Sequence, residues 1–200
     1  MVGRRCSSVP EATKDTRLAW AWALLTRGLR RGELCGLRWE DIDLDAGAAR
    51  ITRTRILVDG KPTEAAPKTT AGHRTVPLDP SLVALLRAHK VRQGAEKLKT
   101  GPAYEEAGWL FADETGAPYY PDTLSEWFER KAADLELPSI RLHDCRHTAA
   151  SLMLASGVPV TVVEEMLGHA SPTITLSIYA HVLPGMGEEA GAALSANLLG

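Results

Sequence analysis

The segment IRLHDCRHTAASLM, residues 140–153, gathers polar side chains directly in front of an apolar run. His143 and His147 stand four residues apart, so on a helix they share one face. His143 and Arg146, three residues apart, also share a face. The segment therefore allows three interpretations: a metal site at the two histidines, an anion site formed by an imidazole and a guanidinium, or polar caps for the free amides of a helix start.

The composition indicates a globular, cytoplasmic protein. Of 200 residues, 44% are hydrophobic, which is enough to bury the core of one domain, with or without a subdomain. The cysteines Cys6, Cys35 and Cys145 form no CxxC pair, which favours reduced, structural thiols. No apolar run approaches the length of a membrane span, and residues 1–15 lack the apolar stretch of a signal peptide. We therefore expect a cytoplasmic location and no contact with membranes.

Charge is unevenly distributed along the chain. The net charge of −2 excludes a protein that is basic throughout. Acidic pairs stand at residues 105–106, 164–165 and 188–189. The early basic residues are Arg27, Arg30, Arg31, Arg38, Arg50, Arg53 and Arg55. A net charge near zero is compatible with one basic face, so the charge does not exclude a nucleic-acid partner.

Apolar spacing predicts that helices dominate the chain. A helix that starts at Leu18 is interrupted by Gly28, and a second short helix follows up to about Leu37. The segment DPSLVALLRAHK, residues 79–90, opens a helix with an aspartate cap and proline at the first helical position. Further helices are expected over residues 121–137, 144–156, from a capping box at 161–164, over 171–182 and over 187–198.

A small sheet is expected between the first and second groups of helices. ARITRTRILV, residues 49–58, alternates and is rich in β-branched side chains, which predicts one strand. HRTVPL, residues 73–78, predicts a second strand, and TEAAPKT, residues 63–69, would lie between the two. A further short strand is expected at GWLFAD, residues 108–113. The predicted fold class is therefore α+β, mainly α-helical, with a small three-stranded antiparallel sheet on one edge.

The metal interpretation of the opening segment is weak. HDCRH, residues 143–147, has aspartate where the zinc-protease motif has glutamate. Arg146 would place a cation beside the ion, and the sequence offers no evident third ligand. We therefore expect no metal.

A helix-turn-helix module is a second alternative. ASLMLASGVPVTVVEEMLGHAS, residues 150–171, contains a helix, a glycine turn and a second helix. Its recognition helix would carry Glu164 and Glu165, whose charge is unfavourable next to phosphates.

Five segments in chain order support the anion interpretation. They are TRGLRRGELCGLRW (26–39), PKTTAGHRTVPL (67–78), HDCRH (143–147), LGHAS (167–171) and SIYAHV (177–182). Together, from about Leu18 to Leu183, they closely resemble the catalytic domain of the tyrosine recombinases, the phage-integrase family. Each segment alone is a weak signal, and the specificity comes from their order and separation. The resemblance implies the catalytic-domain fold of that family.

The resemblance implies a role for individual residues. Cys145, inside the His-x-x-Arg box, stands where leucine is commoner. Tyr179 matches the nucleophile, and Lys68 matches the lysine of a hairpin in the sheet. The implied catalytic residues are Arg30, Lys68, His143, Arg146, His169 and Tyr179, with Glu33 in a supporting position.

The implied reaction is site-specific cleavage and rejoining of double-stranded DNA through a 3′-phosphotyrosine, for the integration or excision of a mobile element. Two arginines can clamp the nonbridging oxygens of a phosphodiester. A tyrosine hydroxyl titrates near 10, roughly three units above neutral pH, so it needs a proton acceptor, for which His143 is the candidate. Lys68 can protonate the departing 5′ oxygen. The phosphotyrosine retains the bond energy, so we expect neither a cofactor nor a metal.

Family members usually carry an N-terminal DNA-clamping domain as well. We expect residues 1–17 to be a loose segment and residues 18–200 to be the catalytic domain without that clamp. The free chain is expected to be monomeric and to assemble on DNA as a tetramer with full-length, family-like protomers. The alternatives are a non-catalytic DNA-binding module of helix-turn-helix type and an inactive remnant.

Overall fold

The computed structural model describes Thr13 and residues 16–67, 69–136 and 141–168. These residues form an α+β structure in which helices predominate. The helices are α1 (Ala19–Leu25), α2 (Arg31–Cys35), α3 (Pro80–Thr100), α4 (Pro121–Asp134), α5 (Leu142–Ala155) and α6 (Val160–Leu167). The strands are β1 (Ile42–Asp43), β2 (Ala48–Ile51), β3 (Thr54–Val58), β4 (Lys61–Ala65) and β5 (Arg74–Pro77). No helix in these ranges is both long and apolar enough to cross a membrane.

The described strands form two antiparallel sheets. The first sheet has three strands in the order β1-β2-β5, and Ala49 of β2 lies opposite both Ile42 and Val76. The second sheet is the β3-β4 hairpin. The expected three-stranded sheet is therefore present, but its third strand is β1. Residues 63–65 of the segment expected to be that strand belong to β4 and pair with β3 instead.

The prediction of a single strand over residues 49–58 is wrong. Strand β2 ends at Ile51 and β3 begins at Thr54, so Thr52 and Arg53 belong to neither strand. The hydroxyl of Thr52 donates to one carboxylate oxygen of Asp41 (3.0 Å), and Arg53 Nη1 donates to the other (2.9 Å). Asp41 is buried in the 3₁₀ turn Trp39–Asp41. These side-chain bonds hold the two residues against the turn and separate the two halves of the expected strand. Nor does a strand form at residues 108–113, where the described chain has only isolated bridges.

Helix starts were predicted with mixed success. Asp79 caps α3 as expected, and its carboxylate accepts from the backbone N–H groups of Ser81 (3.0 Å) and Leu82 (3.2 Å). Helix α5 begins at Leu142, two residues earlier than expected. The reason is that Asp144 acts inside the first turn, where its carboxylate accepts from the backbone N–H of Arg141 (2.8 Å). Helix α6 likewise begins before its expected capping box, with Pro159 at the N-cap.

Helix α1 lies at the centre of the core. Every residue from Ala19 to Leu25 is buried, as expected for a helix that is apolar on all sides. It packs against α3 and α5, and the chain behind it turns at Gly28 into α2. The fold therefore places the start of α2 and the middle of α5 next to the same central helix.

His89 is a buried histidine of α3 that belongs to this core. Its ring stacks on Trp20 with 4.8 Å between ring centroids. Its Nε2 donates to the carbonyl oxygen of Leu110 (2.9 Å), and Nδ1 is buried with no hydrogen-bond partner among the described residues. Burial lowers the pKa of His89 to about 4, with the hydrogen bond to Leu110 opposing and the charges of Arg17 and Arg92 assisting. The folded protein therefore keeps this ring neutral.

We expect the stability of the protein to fall on mild acidification because of His89. In the unfolded chain the ring takes up a proton below pH 6.5, whereas in the folded protein it does so only near pH 4. His89 should therefore lower the free energy of unfolding by about 3 kcal/mol across this interval and contribute no further change below it. Urea unfolding at a series of pH values measures the drop. His89→Phe should flatten it, while replacement of the exposed His73 by phenylalanine should not; an unchanged slope in His89→Phe would contradict the assignment.

Candidate active site

Arg146 is a buried arginine at the middle of the site. It projects from α5 and is 4% exposed. Its Nη1 donates to the carbonyl oxygen of Gly28 (2.6 Å) and its Nη2 to that of Leu167 (2.5 Å). Burial lowers its pKa to about 9, with Arg30 adding repulsion and Glu33 opposing it. The guanidinium is therefore still protonated at neutral pH.

Arg30 reaches the same place from α2. It is the N-cap residue of that helix, and its backbone N–H donates to the carboxylate of Glu33 (2.8 Å). Its guanidinium donates to Glu33 (2.6 Å), to the carbonyl oxygen of Gly168 (2.8 Å) and, at 3.5 Å, to that of Leu167. Arg30 and Arg146 thus share the Leu167 carbonyl as an acceptor. The carbonyl end of α6, which carries partial negative charge, draws two cations together.

Glu33 holds Arg30 in this position by accepting hydrogen bonds from its backbone N–H and its guanidinium. Its side chain is 1% exposed and lies between the guanidinium groups of Arg30 and Arg74. Burial raises the pKa of Glu33, but the hydrogen bond and charge of Arg74, followed by those of Arg30, outweigh burial and bring it below its ordinary value. The carboxylate is therefore ionised at neutral pH and neutralises part of the positive charge around it.

Arg74 is a member of this cluster that the sequence interpretation missed. Its side chain is 4% exposed, and Nη1 and Nη2 each donate to one oxygen of Glu33 at 2.9 Å. A signal was available, because alternation along β5 places Arg74 on the same face as the buried Val76. An arginine on the inner face of a strand requires a buried acidic partner.

His143 lies on the exposed side of α5, one helical turn before Arg146. Its ring meets that of His147 edge-on, with 4.9 Å between centroids and an angle of 87° between planes. Burial lowers the pKa of His143, and the charges of His147 and Arg146 lower it further. The neutral imidazole, which can accept a proton, is therefore the favoured form at neutral pH.

Three expected site residues, Lys68, His169 and Tyr179, lie outside the described residues. The chain on either side of Lys68 is described, and the 3₁₀ turn Thr70–Gly72 follows it. His169 is joined directly to Gly168, which ends α6 in a left-handed conformation and whose carbonyl accepts from Arg30. The structure thus brings together Arg30, Glu33, Arg146 and Arg74, with His143 on the same helix as Arg146. The roles of Lys68, His169 and Tyr179 stay predictions.

We expect the purified protein to contain no stoichiometric zinc. In the part of the chain that the structure describes, no three histidine, cysteine or acidic side chains are grouped closely enough to hold a metal. Two histidines alone leave a tetrahedral zinc ion short of protein ligands. Elemental analysis after dialysis measures the content. One zinc per chain, lost in His143→Ala or His147→Ala, would restore the metal interpretation.

Comparisons with known proteins bear on this cluster. A family model described as the phage integrase family matches residues 6–185. A tyrosine recombinase XerC-like protein of Caldanaerobacter subterraneus is 38% identical over 189 residues, which are 88% of this chain and 48% of the relative. The ICEBs1 integrase of Bacillus subtilis is 32% identical over 189 residues, which are 92% of this chain and 49% of the relative. The chain thus spans about half the length of these curated relatives.

Solved structures share the fold. The Tn1549 transposon integrase in complex with transposon right end DNA superposes with a TM-score of 0.75 at 22% identity, over 97% of this chain and 64% of that one. The XerA recombinase superposes with a TM-score of 0.70 at 20% identity, over 95% of this chain and 61% of that one. At these identities the likeness shows the architecture, which agrees with the expected catalytic-domain fold.

Proposed function

This chain belongs to the phage integrase family, and from that premise we propose that it cleaves and rejoins double-stranded DNA at specific sites through a 3′-phosphotyrosine intermediate. The observation that carries the proposal is the convergence of Arg30 and Arg146 on the Leu167 carbonyl. Two cations held at one point by a buried scaffold suit a phosphodiester, whose charge lies on its nonbridging oxygens.

The arginines would stabilise the transition state. Arg30 is 39% exposed, so its guanidinium is accessible to a ligand while Glu33 keeps it oriented. Arg146 is held from behind by Gly28 and Leu167. Because both cations are placed before DNA binds, little reorganisation is needed when charge develops on the phosphate, and this kind of preorganisation is often the largest catalytic contribution.

Tyr179, Lys68 and His143 would move the protons. The Tyr179 oxygen attacks phosphorus and transfers its proton to neutral His143, while the bond from phosphorus to the 5′ oxygen breaks. Lys68 donates a proton to that leaving oxygen, and His169 hydrogen-bonds the phosphate. Rejoining reverses these steps with a 5′ hydroxyl as nucleophile. The phosphotyrosine keeps the energy of the broken bond, so the cycle is balanced without a metal or a nucleotide cofactor.

DNA is the proposed partner. Solved structures of the Tn1549 integrase contain transposon end DNA and circular intermediate DNA, and one of XerH contains its difH substrate. We propose by analogy that this chain binds double-stranded DNA of a mobile element in the cytoplasm, in a tetramer with full-length protomers.

A suicide substrate tests the function. A duplex that carries the junction DNA flanking the gene, with a nick a few bases to the 3′ side of the cleavage position, releases after attack the short fragment that bears the new 5′ hydroxyl. Loss of this fragment prevents rejoining and traps the adduct. A covalent protein–DNA band that resists denaturant supports the proposal. Specific binding without an adduct would instead favour the helix-turn-helix alternative. The absence of both binding and adduct would favour an inactive remnant.

We expect DNA binding by this chain to be weak and steeply dependent on salt. The net charge is −2, so attraction depends on the few arginines that reach the phosphates. The logarithm of the association constant should fall with the logarithm of salt concentration, with a slope of about −0.9 for each phosphate contacted. Arg30→Gln should reduce the slope by about one contact, whereas Arg87→Gln, which removes an exposed ion pair with Asp45, should leave it unchanged. Tight binding that is insensitive to salt would contradict this expectation.

A further inference from the structure

Arg74 uses almost all of its hydrogen-bonding capacity inside the protein. Besides the two bonds to Glu33, its Nε donates to the carbonyl oxygen of Met166 (2.7 Å) and its Nη1 to that of Gly72 (3.3 Å). The side chain is 4% exposed, so these bonds are shielded from water. Four of its five N–H groups donate within the protein, so Arg74 is committed to the scaffold.

The acceptors of Arg74 belong to three separate segments, each of which leads to one residue of the proposed site. Glu33 holds the guanidinium of Arg30. Met166 is in the last turn of α6, three residues before His169. Gly72 ends the 3₁₀ turn that follows Lys68. One side chain thus connects the chain segments on which three of the expected catalytic groups depend.

We propose that Arg74 is a positioning residue that sets the relative placement of Arg30, the end of α6 and the turn Thr70–Gly72, the segments that lead to the proposed site. Its effect on cleavage rests on the proposed function. Glu33 Oε1 accepts from both Arg74 and Arg30, at 2.9 and 2.6 Å. Glu33 carries one negative charge and faces the two positive charges of Arg74 and Arg30. Its carboxylate therefore orients Arg30 and leaves a net positive charge at the site. Arg30 keeps the charge and the free N–H groups that a phosphate requires.

The guanidinium shape is essential to this role. Its planar fork matches a carboxylate bidentately while Nε points to a third acceptor in the same plane. A lysine ammonium is a single point that cannot reach the Glu33 oxygens and the Met166 carbonyl in this arrangement. Arg74→Lys therefore keeps the charge but loses the connection between the segments.

The end of α6 also packs tightly against the turn after Lys68. Gly168 has φ +64°, and a Cβ atom there would lie 2.6 Å from the Ala71 carbonyl oxygen and 2.9 Å from Arg74 Nη1. Gly157, at the end of α5, has φ +78° and no atom within 4 Å of a Cβ. Alanine at either position imposes a similar backbone strain, but only Gly168→Ala also separates α6 from Arg74 and the turn.

Two amides report directly on the connected segments. The Gly168 N–H donates to Glu164 (2.8 Å), and the Gly72 N–H donates to Thr69 (2.9 Å). In Arg74→Lys and in Gly168→Ala we expect both amides to exchange hydrogen at least about tenfold faster, with amides of α3 unchanged. Gly157→Ala should leave both at the wild-type rate. This pair of glycine variants decides the question even if Arg74→Lys does not fold.

Cleavage of the suicide substrate is the second measurement. At saturating DNA, Arg74→Lys should form adduct more slowly by a factor on the order of 100, because displacements near 1 Å cost about that much, while its Kd for DNA stays within about threefold. Wild-type exchange at both amides would overturn the proposal, as would a wild-type cleavage rate in Arg74→Lys. If the wild-type protein forms no adduct, the proposed function fails, and the exchange rates still decide whether Arg74 organises the segments.

Discussion

Tyr179→Phe is expected to abolish the covalent adduct with DNA, a loss on the order of 10⁴-fold or more, because the substitution removes the attacking oxygen itself. Ile174, Ile178 and Val182 form an apolar stripe with a four-residue period, on which a helix over residues 171–182 can pack. In the helix predicted there, Tyr179 follows Ile178 directly and would lie about 100° away from that stripe. The predicted helix would therefore leave the Tyr179 hydroxyl off the packed stripe, as a nucleophile requires.

The same variant should change little else. Loss of one hydroxyl away from a packed stripe should alter the free energy of unfolding by no more than about 0.5 kcal/mol, and DNA affinity should stay within about twofold. Tyr120 is a matched control, since it is 55% exposed at the start of α4, and Tyr120→Phe should form adduct at the wild-type rate. Adduct formation by Tyr179→Phe would mean that another residue is the nucleophile, and the proposed mechanism would fail.

Glu33→Gln is expected to destabilise the protein by about 3–5 kcal/mol, the usual cost of removing one partner from a buried ion pair. Arg74 would keep its charge at 4% exposure and lose both of its charge-assisted bonds to Glu33. The amide group of glutamine also presents N–H donors where Arg74 and Arg30 require acceptors. Cleavage should fall as well, since Arg30 loses the carboxylate that orients it.

Glu64→Gln is the matched control for this prediction. Glu64 accepts from Arg38 Nη2 through both oxygens, at 2.9 and 3.1 Å, but its side chain is 45% exposed. An exposed pair of this kind contributes about 1 kcal/mol or less. Both variants replace a glutamate paired with an arginine by glutamine, so the difference between their free energies of unfolding in urea measures the effect of burial on the ion pair. Equal losses would show that the Glu33–Arg74 pair is not held in a desolvated site.

Acid should affect the two variants differently. The folded-state pKa of Glu33 is below its ordinary value of 4.5, so its stabilising contribution is present above pH 4.5 and is lost as the pH falls through the folded-state pKa. Glu33→Gln should remove that part of the acid sensitivity, whereas Glu64→Gln should keep it. Unfolding free energies measured below pH 5 make this comparison.

Much of the fold could be predicted from local features. The start of α3 follows from the Asp79 cap and from Pro80, whose ring fixes a backbone angle that suits the first helical position. The buried α1 follows from a continuous apolar segment. The family followed from the order of short polar motifs, which chain length and composition alone do not reveal. Caps, apolar periodicity and motif spacing each depend on residues close together in the sequence, so they can be recognised without knowledge of the tertiary structure.

The break in the strand over residues 49–58 was decided by tertiary contacts. Alternating β-branched residues favour a continuous strand, but the buried Asp41 binds Thr52 and Arg53 from ten or more residues away. A local pattern cannot reveal that a side chain has a better partner elsewhere in the fold. The chain therefore formed two sheets from a segment that resembled one strand.

By itself the sequence predicted which residues would carry the chemistry: Arg30 and Arg146, with His143 three residues before Arg146 and Glu33 three residues after Arg30. Only the tertiary structure decided how they are held. Arg146 and Arg30 are oriented by backbone carbonyl oxygens at Gly28, Leu167 and Gly168, and Arg74 reaches Glu33 across 41 residues. Every residue has a carbonyl group, so no letter of the sequence marks the few that accept from an arginine. The packing of α2 and α5 against α1, and of α6 against α5 and β5, selects them.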